Sequence, residues 1–127
     1  MKEKLVLVAV AVLSGCALVA QTSSEQVETV PVMLYPDTDH STCNIGLRVN
    51  AGGAVLRSGP GENFAIVAML KSGHVVSGCD EQYGWDGVID GQYGTCSIGI
   101  SVPTKRPYVG LCDSGWIDQK SLTSIYG

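Results

Sequence analysis

The sequence predicts a small all-β domain, and three observations support this fold class. Short apolar stretches alternate with turn-forming segments, which is the pattern of brief strands joined by tight turns. The chain contains 16 glycines, whose backbone freedom suits such turns. Its 127 residues are enough for one domain and too few for two.

The first strands are predicted from alternation and from the turn residues that separate them. Residues 46–50 (GLRVN) alternate apolar and polar side chains, and 51–53 (AGG) form a turn before a second strand at 54–57. The cluster at 58–61 (SGPG) cannot continue a strand. Residues 65–70 (AIVAML) are apolar enough to predict a strand that is buried on both faces.

The middle of the chain continues this pattern. A turn at 71–73 (KSG) leads into a predicted strand at 74–79, and another strand is predicted at 85–89. The dipeptide Asp90-Gly91 then predicts a tight hairpin, because it favours the type I′ turn.

The C-terminal third predicts an inserted hairpin and a closing strand. Residues 95–102 and 108–112 are its predicted arms, joined by the loop 103–107 (PTKRP). The last predicted strand is 114–118, followed by a single 3₁₀ turn at 119–122.

The N-terminus has the features of an export signal. Lys2 and Lys4 precede an uninterrupted apolar run at 5–13 (LVLVAVAVL), which suits the apolar region of a signal peptide. Nine residues are too few to cross a bilayer, which takes about 20. A buried strand is the alternative for a valine-rich run of this length.

The segment 13–16 (LSGC) resembles the lipobox of bacterial lipoproteins at all four positions. The resemblance implies that Cys16 is acylated and holds the chain to a lipid bilayer, and two or more acyl chains give stable anchoring. The alternative is a buried or otherwise processed cysteine. Ala17 replaces the aspartate that favours inner-membrane retention in enteric lipoproteins. We therefore expect an outer-membrane protein that faces the periplasm.

These features divide the chain into three parts. Residues 1–15 are the predicted lipoprotein signal peptide, and residues 16–42 are the lipidated N-terminus and a tether. Residues 43–127 are the predicted β domain.

The domain contains an even number of cysteines: Cys43, Cys79, Cys96 and Cys112. In an exported chain this predicts two disulfides, with three pairings open to four cysteines. A zinc site is the rival, but the chain has no CxxC pair and its two histidines stand apart. We favour Cys43–Cys79 with Cys96–Cys112, because the latter two flank the predicted inserted hairpin.

The segment 54–73 (AVLRSGPGENFAIVAMLKSG) resembles the bacterial SH3 (SH3b) family, in which a strand ending in Leu is followed by Arg-Ser-Gly-Pro, an apolar strand and a Lys-x-Gly turn. Gly84-Trp85 and Gly115-Trp116 resemble the Gly-Trp strands of that family. The resemblance covers about residues 45–125. It implies a small SH3-like β-barrel with an inserted hairpin.

Two features depart from the family pattern. About twenty residues, 91–111, separate the two Gly-Trp strands, where the family has a short hairpin, and four cysteines are not usual in the family. Such an insertion is compatible with the fold, because loops tolerate added length. The inference of a shared ligand is weaker, since the insertion covers or extends the binding face.

Candidate contact residues were chosen by side-chain type and predicted position. Trp85 and Trp116 are expected in or near the core. Arg57 is expected either to brace its turn by bonding carbonyls or to contact ligand. The candidate ligand-binding residues are Arg57, Tyr83, Tyr93, Lys105, Arg106 and Tyr108.

Several functions are not expected. The chain is acidic, with a net charge of -4 and no basic stripe, which argues against nucleic-acid binding. The sequence predicts no catalytic residue, metal site or cofactor, because His40 and His74 stand apart and the domain cysteines are expected to be oxidised.

We therefore expect a non-catalytic module that binds peptidoglycan or an envelope protein. The alternative is an inhibitor or immunity lipoprotein that blocks a cell-wall hydrolase through its 91–111 insertion.

Overall fold

The structure is a computed structural model that describes residues 28–36, 43–92, 95–98 and 102–126. The predictions for the signal peptide, for acylated Cys16 and for Tyr93 lie outside these residues. The described parts contain nine strands, one 3₁₀ turn and no α-helix. The all-β prediction is confirmed.

Seven antiparallel strands form the main sheet, in the order β4-β3-β8-β6-β5-β2-β9. The strands of the chain are β1 Met33–Leu34, β2 Ile45–Val49, β3 Ala54–Arg57, β4 Ile66–Leu70, β5 Val75–Gln82, β6 Trp85–Ile89, β7 Arg106–Pro107, β8 Ser114–Asp118 and β9 Leu122–Tyr126. The predicted 3₁₀ turn spans Gln119–Ser121, and the Asp118 side chain caps it by accepting from the Lys120 amide.

The inner face of this sheet packs into one core, which draws on all seven strands. Leu70 of β4 and Leu122 of β9 belong to the same cluster although they lie on opposite edges, so the sheet curls around its apolar face. The buried members are Leu47, Val49, Ala54, Leu56, Leu70, Val76, Val88 and Ile117. No ladder joins β4 to β9 in the described residues, and the predicted closed barrel is therefore not found.

A second core lies on the outer face of the same sheet. Neighbouring residues of a strand point to opposite faces, and accordingly Val88 belongs to the inner core and Ile89 to the outer one. The outer cluster contains Leu34, Cys43, Ile89, Ile98, Val102 and Tyr108, with Cys79, Cys96 and Cys112 against it. The insertion and the segment before the domain therefore form a second layer over part of the sheet.

Part of the segment predicted as a tether, residues 16–42, belongs to the folded domain. Val32 and Leu34 are buried, and the Trp116 indole N–H donates to the Val30 carbonyl at 2.8 Å. The Met33 amide also donates to the Asp80 carboxylate at 2.9 Å. The chain from Val30 to Leu34 is thus part of the folded domain, because apolar side chains and backbone groups both find partners there.

The inserted hairpin differs from its prediction. Residues 95–98 form a turn, with the Ile98 amide donating to the Thr95 carbonyl, and residues 108–112 form no strand. Arg106–Pro107 pairs instead with Met33–Leu34 as a two-stranded sheet. The insertion finds its strand partner in the N-terminal segment rather than within itself.

Both disulfides form in the favoured pairing, Cys43–Cys79 and Cys96–Cys112. The second closes a loop with a sequence separation of 16, and a loop of that size is stabilised by about 3 kcal/mol in the chain-entropy account. Tyr108 supports the same loop, since its hydroxyl donates to the Cys96 carbonyl and accepts from the Cys112 amide. Two covalent links and one buried phenol therefore hold a layer that has little regular structure.

The prediction of a tight hairpin at Asp90-Gly91 is wrong. The Asp90 amide donates to the Asp113 carbonyl, so the chain leaves the sheet there. The two-residue turn is Tyr83-Gly84, between β5 and β6, with φ of 54° and 85°. Positive φ at both residues is the type I′ geometry. Tyrosine does not favour positive φ, so the sequence at 83–84 did not predict this turn.

We predict that Trp116→Phe releases the N-terminal segment. The change removes the indole N–H that holds the Val30 carbonyl and leaves unfilled space, and we expect a loss of about 1–3 kcal/mol in the free energy of unfolding. Hydrogen exchange measured by mass spectrometry is expected to quicken across residues 30–34. Trp85→Phe, at a half-buried tryptophan, is the matched control. Unchanged exchange in this segment would contradict the assignment.

Candidate functional site

The outer face of the sheet is only partly covered, and the open part forms a groove. The groove has a volume of about 160 Å³ and is lined by Val55, Arg57, Glu62, Trp85, Asp118 and Ser121. It is shallow and open to solvent, so it suits a segment of a larger molecule more than an enclosed small ligand.

Strand geometry places these side chains together. Ala54 and Leu56 of β3 point into the inner core, so Val55 and Arg57 emerge on the outer face. Trp85 of β6 lies directly opposite Asp118 of β8, and such cross-strand partners have neighbouring side chains. The groove therefore runs across three adjacent strands, β3, β8 and β6.

Arg57 is fixed by the loop that follows it. Its Nη1 donates to the Phe64 carbonyl at 2.9 Å, and a Cβ on Gly59 would overlap the Phe64 ring. The 58–64 loop is thereby folded tightly against the start of β4. One of the two alternatives for Arg57, that it braces its turn, is confirmed by this bond.

The groove carries charges of both signs beside an aromatic ring. In the described part of the chain Arg57 makes no ion pair, so its remaining donors are open to a ligand. Glu62 and Asp118 supply carboxylates, and half-buried Trp85 offers a flat apolar surface. Such a groove can bind a ligand that has an apolar or sugar face together with acidic and basic groups.

Gln119 in the 3₁₀ turn bridges two carboxylates, one on β5 and one on β6. Its Nε2 donates to Glu81 at 2.9 Å and to Asp86 at 3.0 Å. Burial raises the pKa of Asp86, the Gln119 hydrogen bond lowers it, and repulsion from Glu81 raises it further. The net result is a pKa above the ordinary range for this carboxyl group. The hydrogen bonds of Gln119 tie the 3₁₀ turn to β5 and β6, so this residue has a structural role.

Three of the predicted contact residues are exposed but lie outside the groove lining. Tyr83 is 88% exposed at the tip of the β5–β6 turn. Arg106 is exposed on β7. The Lys105 ammonium lies 5.3 Å from the centre of the Tyr35 ring, whose hydroxyl donates to Asp80. Among the predicted contact residues that the structure describes, Arg57 is thus the one that lines the groove.

Tyr108, one of the predicted contact residues, is buried rather than exposed. Its side chain is 9% exposed and belongs to the outer core, because its hydroxyl is used within the disulfide-closed loop. The sequence does not distinguish a loop tyrosine whose ring is buried in the core from one whose ring is exposed to solvent. The structure therefore decides its role.

Sequence reasoning missed most of the groove. Glu62, Asp118, Val55 and Ser121 were not proposed as contacts, and Trp85 was expected in or near the core rather than on a binding surface. Trp85 is half-buried, in line with that expectation, and it also lines the groove. The pairing of Trp85 with Asp118 depends on strand order, which gives no signal in the sequence.

Three other features bear on function in the part of the chain that the structure describes: groups that could hold a metal ion, the place of the histidine relative to the groove, and helices that could cross a membrane. No group of three or more His, Cys, Asp or Glu side chains is arranged to hold a metal ion there. His74 Nε2 lies 2.7 Å from Asp90 Oδ1 on the surface, far along the sheet from the groove residues. Within the same residues no helix is long and apolar enough to cross a membrane.

Comparison with known proteins gives no match to a family model, to a curated protein or to a solved structure.

We predict that Asp86→Asn stabilises the protein at neutral pH. The folded-state pKa is raised above the ordinary 3.8, so the charged form is disfavoured in the folded state at any pH above that raised value. Below pH 3.8 both states are protonated and the penalty disappears. Asparagine keeps the oxygen that accepts from Gln119 and removes the charge.

Urea unfolding at pH 7 and pH 3 measures this effect. We expect Asp86→Asn to raise the free energy of unfolding at pH 7 and to change it little at pH 3. Glu81→Gln serves as the comparison and is expected to give a smaller gain, since repulsion is the lesser cause of the shift. An equal gain at both pH values would show that the charge is not the reason.

Proposed function

We propose that this protein is a lipid-anchored envelope protein whose β domain is a non-catalytic binding module for peptidoglycan or an envelope protein. The observation that carries the proposal is the groove in which Trp85 of β6 and Arg57 of β3 lie on either side of β8, the strand that carries Asp118. Peptidoglycan combines N-acetyl sugars with short peptides that carry carboxylates and amines. Each part has a complementary partner in the groove: the ring for sugar faces, Arg57 for carboxylates, and Glu62 and Asp118 for amines.

The proposed fold is SH3-like. Support comes from the LRSGPG (56–61) and Gly-Trp motifs, which fall at β3, β6 and β8 of the curled antiparallel sheet. The N-terminal segment and the insertion form an additional layer over the outer face of this sheet. This layer covers part of the outer face of the sheet, and the groove lies in the part that stays open.

The proposed anchor is acylated Cys16. The LSGC motif supports it. The Glu28 carbonyl accepts from the Ser58 hydroxyl at 2.9 Å, so the twelve peptide bonds between Cys16 and Glu28 connect the proposed anchor to the β3 end of the sheet. Fully extended, such a segment reaches about 40 Å, and the domain would be held close to the bilayer.

The groove is tested by replacing Trp85. We predict that Trp85→Ala weakens binding to insoluble peptidoglycan about tenfold, because a truncated aromatic anchor at a binding site typically costs more than 1 kcal/mol. Co-sedimentation of the purified protein over a range of peptidoglycan concentrations gives the apparent Kd.

Tyr126→Ala is the matched control, since Tyr126 is an exposed aromatic residue on β9, outside the groove. Its apparent Kd is expected to equal that of the unchanged protein. Retention of Trp85→Ala at full strength, or failure of the unchanged protein to sediment, would count against wall binding through the groove.

A specific observation favours the alternative of a hydrolase inhibitor. Val109 and Leu111 are 86% and 102% exposed in the insertion closed by the Cys96–Cys112 disulfide. A rigid loop with apolar side chains at its surface loses little entropy when it binds an active site. Inhibition of a cell-wall hydrolase that is lost in Val109→Ser with Leu111→Ser, together with no peptidoglycan binding, would favour this function.

The anchor is tested by Cys16→Ser. We predict that the unchanged protein fractionates with membranes and that its mature N-terminal peptide carries diacylglyceryl mass, as read by mass spectrometry. Cys16→Ser removes the thiol that is acylated, so we expect that mass to be absent and the signal peptide to remain uncleaved. A mature N-terminus at another residue, free of acyl groups, would contradict the anchor.

A further inference from the structure

The edge strand β4 exposes an apolar surface that the sequence analysis assigned to the core. Ile66, Val67 and Met69 are 56%, 44% and 69% exposed, and only Leu70 of the strand is buried. The expectation that 65–70 is buried on both faces is therefore wrong. Among the described residues β4 pairs with β3 alone, so the backbone groups on its other side are available to a further strand.

This edge lacks the side chains that usually prevent pairing. Residues 65–70 (AIVAML) contain no charge and no proline, although lysines and prolines commonly protect edge strands. The bulge in the β3–β4 ladder falls at Val67 and adds an apolar side chain to the surface. The opposite edge differs, because β9 exposes the polar residues Thr123 and Ser124.

We propose that β4 is the dimerisation edge of this protein and pairs antiparallel with β4 of a second copy. Pairing the whole five-residue strand with itself places its middle residue, Ala68, on the two-fold axis. Val67 of each copy then lies opposite Met69 of the other. Both contacts join apolar side chains, and no charge is buried.

The charges at the ends of the strand fit the antiparallel arrangement. Lys71 follows β4, and exposed Glu62 lies in the loop that precedes it. An antiparallel pair brings Lys71 of each copy to the end of the strand where Glu62 of the other copy lies. A parallel pair would set Lys71 beside Lys71, which is unfavourable.

The dimer would also extend the groove surface. Residues directly opposite in a sheet point to the same face, so the two outer faces become continuous across the axis. Val55, which lines the groove, pairs with Met69 of β4, and each groove therefore lies near the dimer seam. Two grooves on one face would bind a repeating polymer with avidity, but the pairing itself does not depend on what the groove binds.

Sedimentation velocity of the full chain in density-matched detergent tests the proposal. We expect a dimer whose dissociation constant rises about tenfold or more in Val67→Lys and in Met69→Lys, because each change disrupts two symmetric contacts. Both side chains are exposed in the monomer, so circular dichroism is expected to stay unchanged, as is thermal unfolding at concentrations where the unchanged protein is also monomeric. Thr123→Lys on β9 is the matched control and is expected to leave the dimer intact.

Cysteine cross-linking in cells provides a second measurement without detergent. The double variant Val67→Cys with Met69→Cys is expected to form a disulfide-linked dimer on a non-reducing gel, whereas each single variant forms little, since neither residue faces itself. A monomer at all concentrations together with no cross-link would overturn the proposal. A dimer that is disrupted by Thr123→Lys but not by Val67→Lys would also overturn it. So would a protein that stays monomeric and binds lipid vesicles through the β4 edge.

Discussion

Trp116 contacts three parts of this molecule: the β3–β4 hairpin, the rest of the main sheet and the N-terminal segment. A single ladder pair, Arg57 with Trp116, joins the β3–β4 hairpin to the rest of the sheet. The Trp116 side chain is fully buried, and its indole N–H is satisfied by the Val30 carbonyl. Because a buried donor without a partner costs about 1–3 kcal/mol, the N-terminal segment has to be in place for the tryptophan to be buried. Sheet, hairpin and N-terminal segment therefore depend on the same residue.

The molecule divides its apolar residues between two cores, one on each face of the sheet. Neither is large, and a chain of this size gains limited stability from burial alone. The two disulfides and the Tyr108 hydroxyl lie in the outer core, where regular hydrogen-bonded structure is scarce. Covalent links thus replace strand pairing where the insertion is irregular.

The covered part of the outer face supports the fold, and the open part forms the groove. The covered part holds Trp116 and fixes the backbone of β8, and the same strand carries Asp118 into the open groove. Arg57 is held from two directions, by its ladder pair and by the Phe64 carbonyl. The groove side chains therefore rest on a rigid support, which favours recognition by a preformed surface. The apolar edge at β4 continues that surface, and we propose that a second copy completes it.

The sequence by itself determined the local features: the all-β class, most strand positions and the 3₁₀ turn, whereas the choice among three cysteine pairings was made by the tertiary structure. The first three follow from alternation and turn residues, which act over a few residues. Only the tertiary structure decided that Tyr108 is buried, that β4 is an exposed edge and that Trp85 meets Asp118. Those outcomes depend on strand order and on which layer covers which face. An apolar strand such as 65–70 has the same sequence pattern in the centre of a sheet as at its edge, and only its neighbours make the difference.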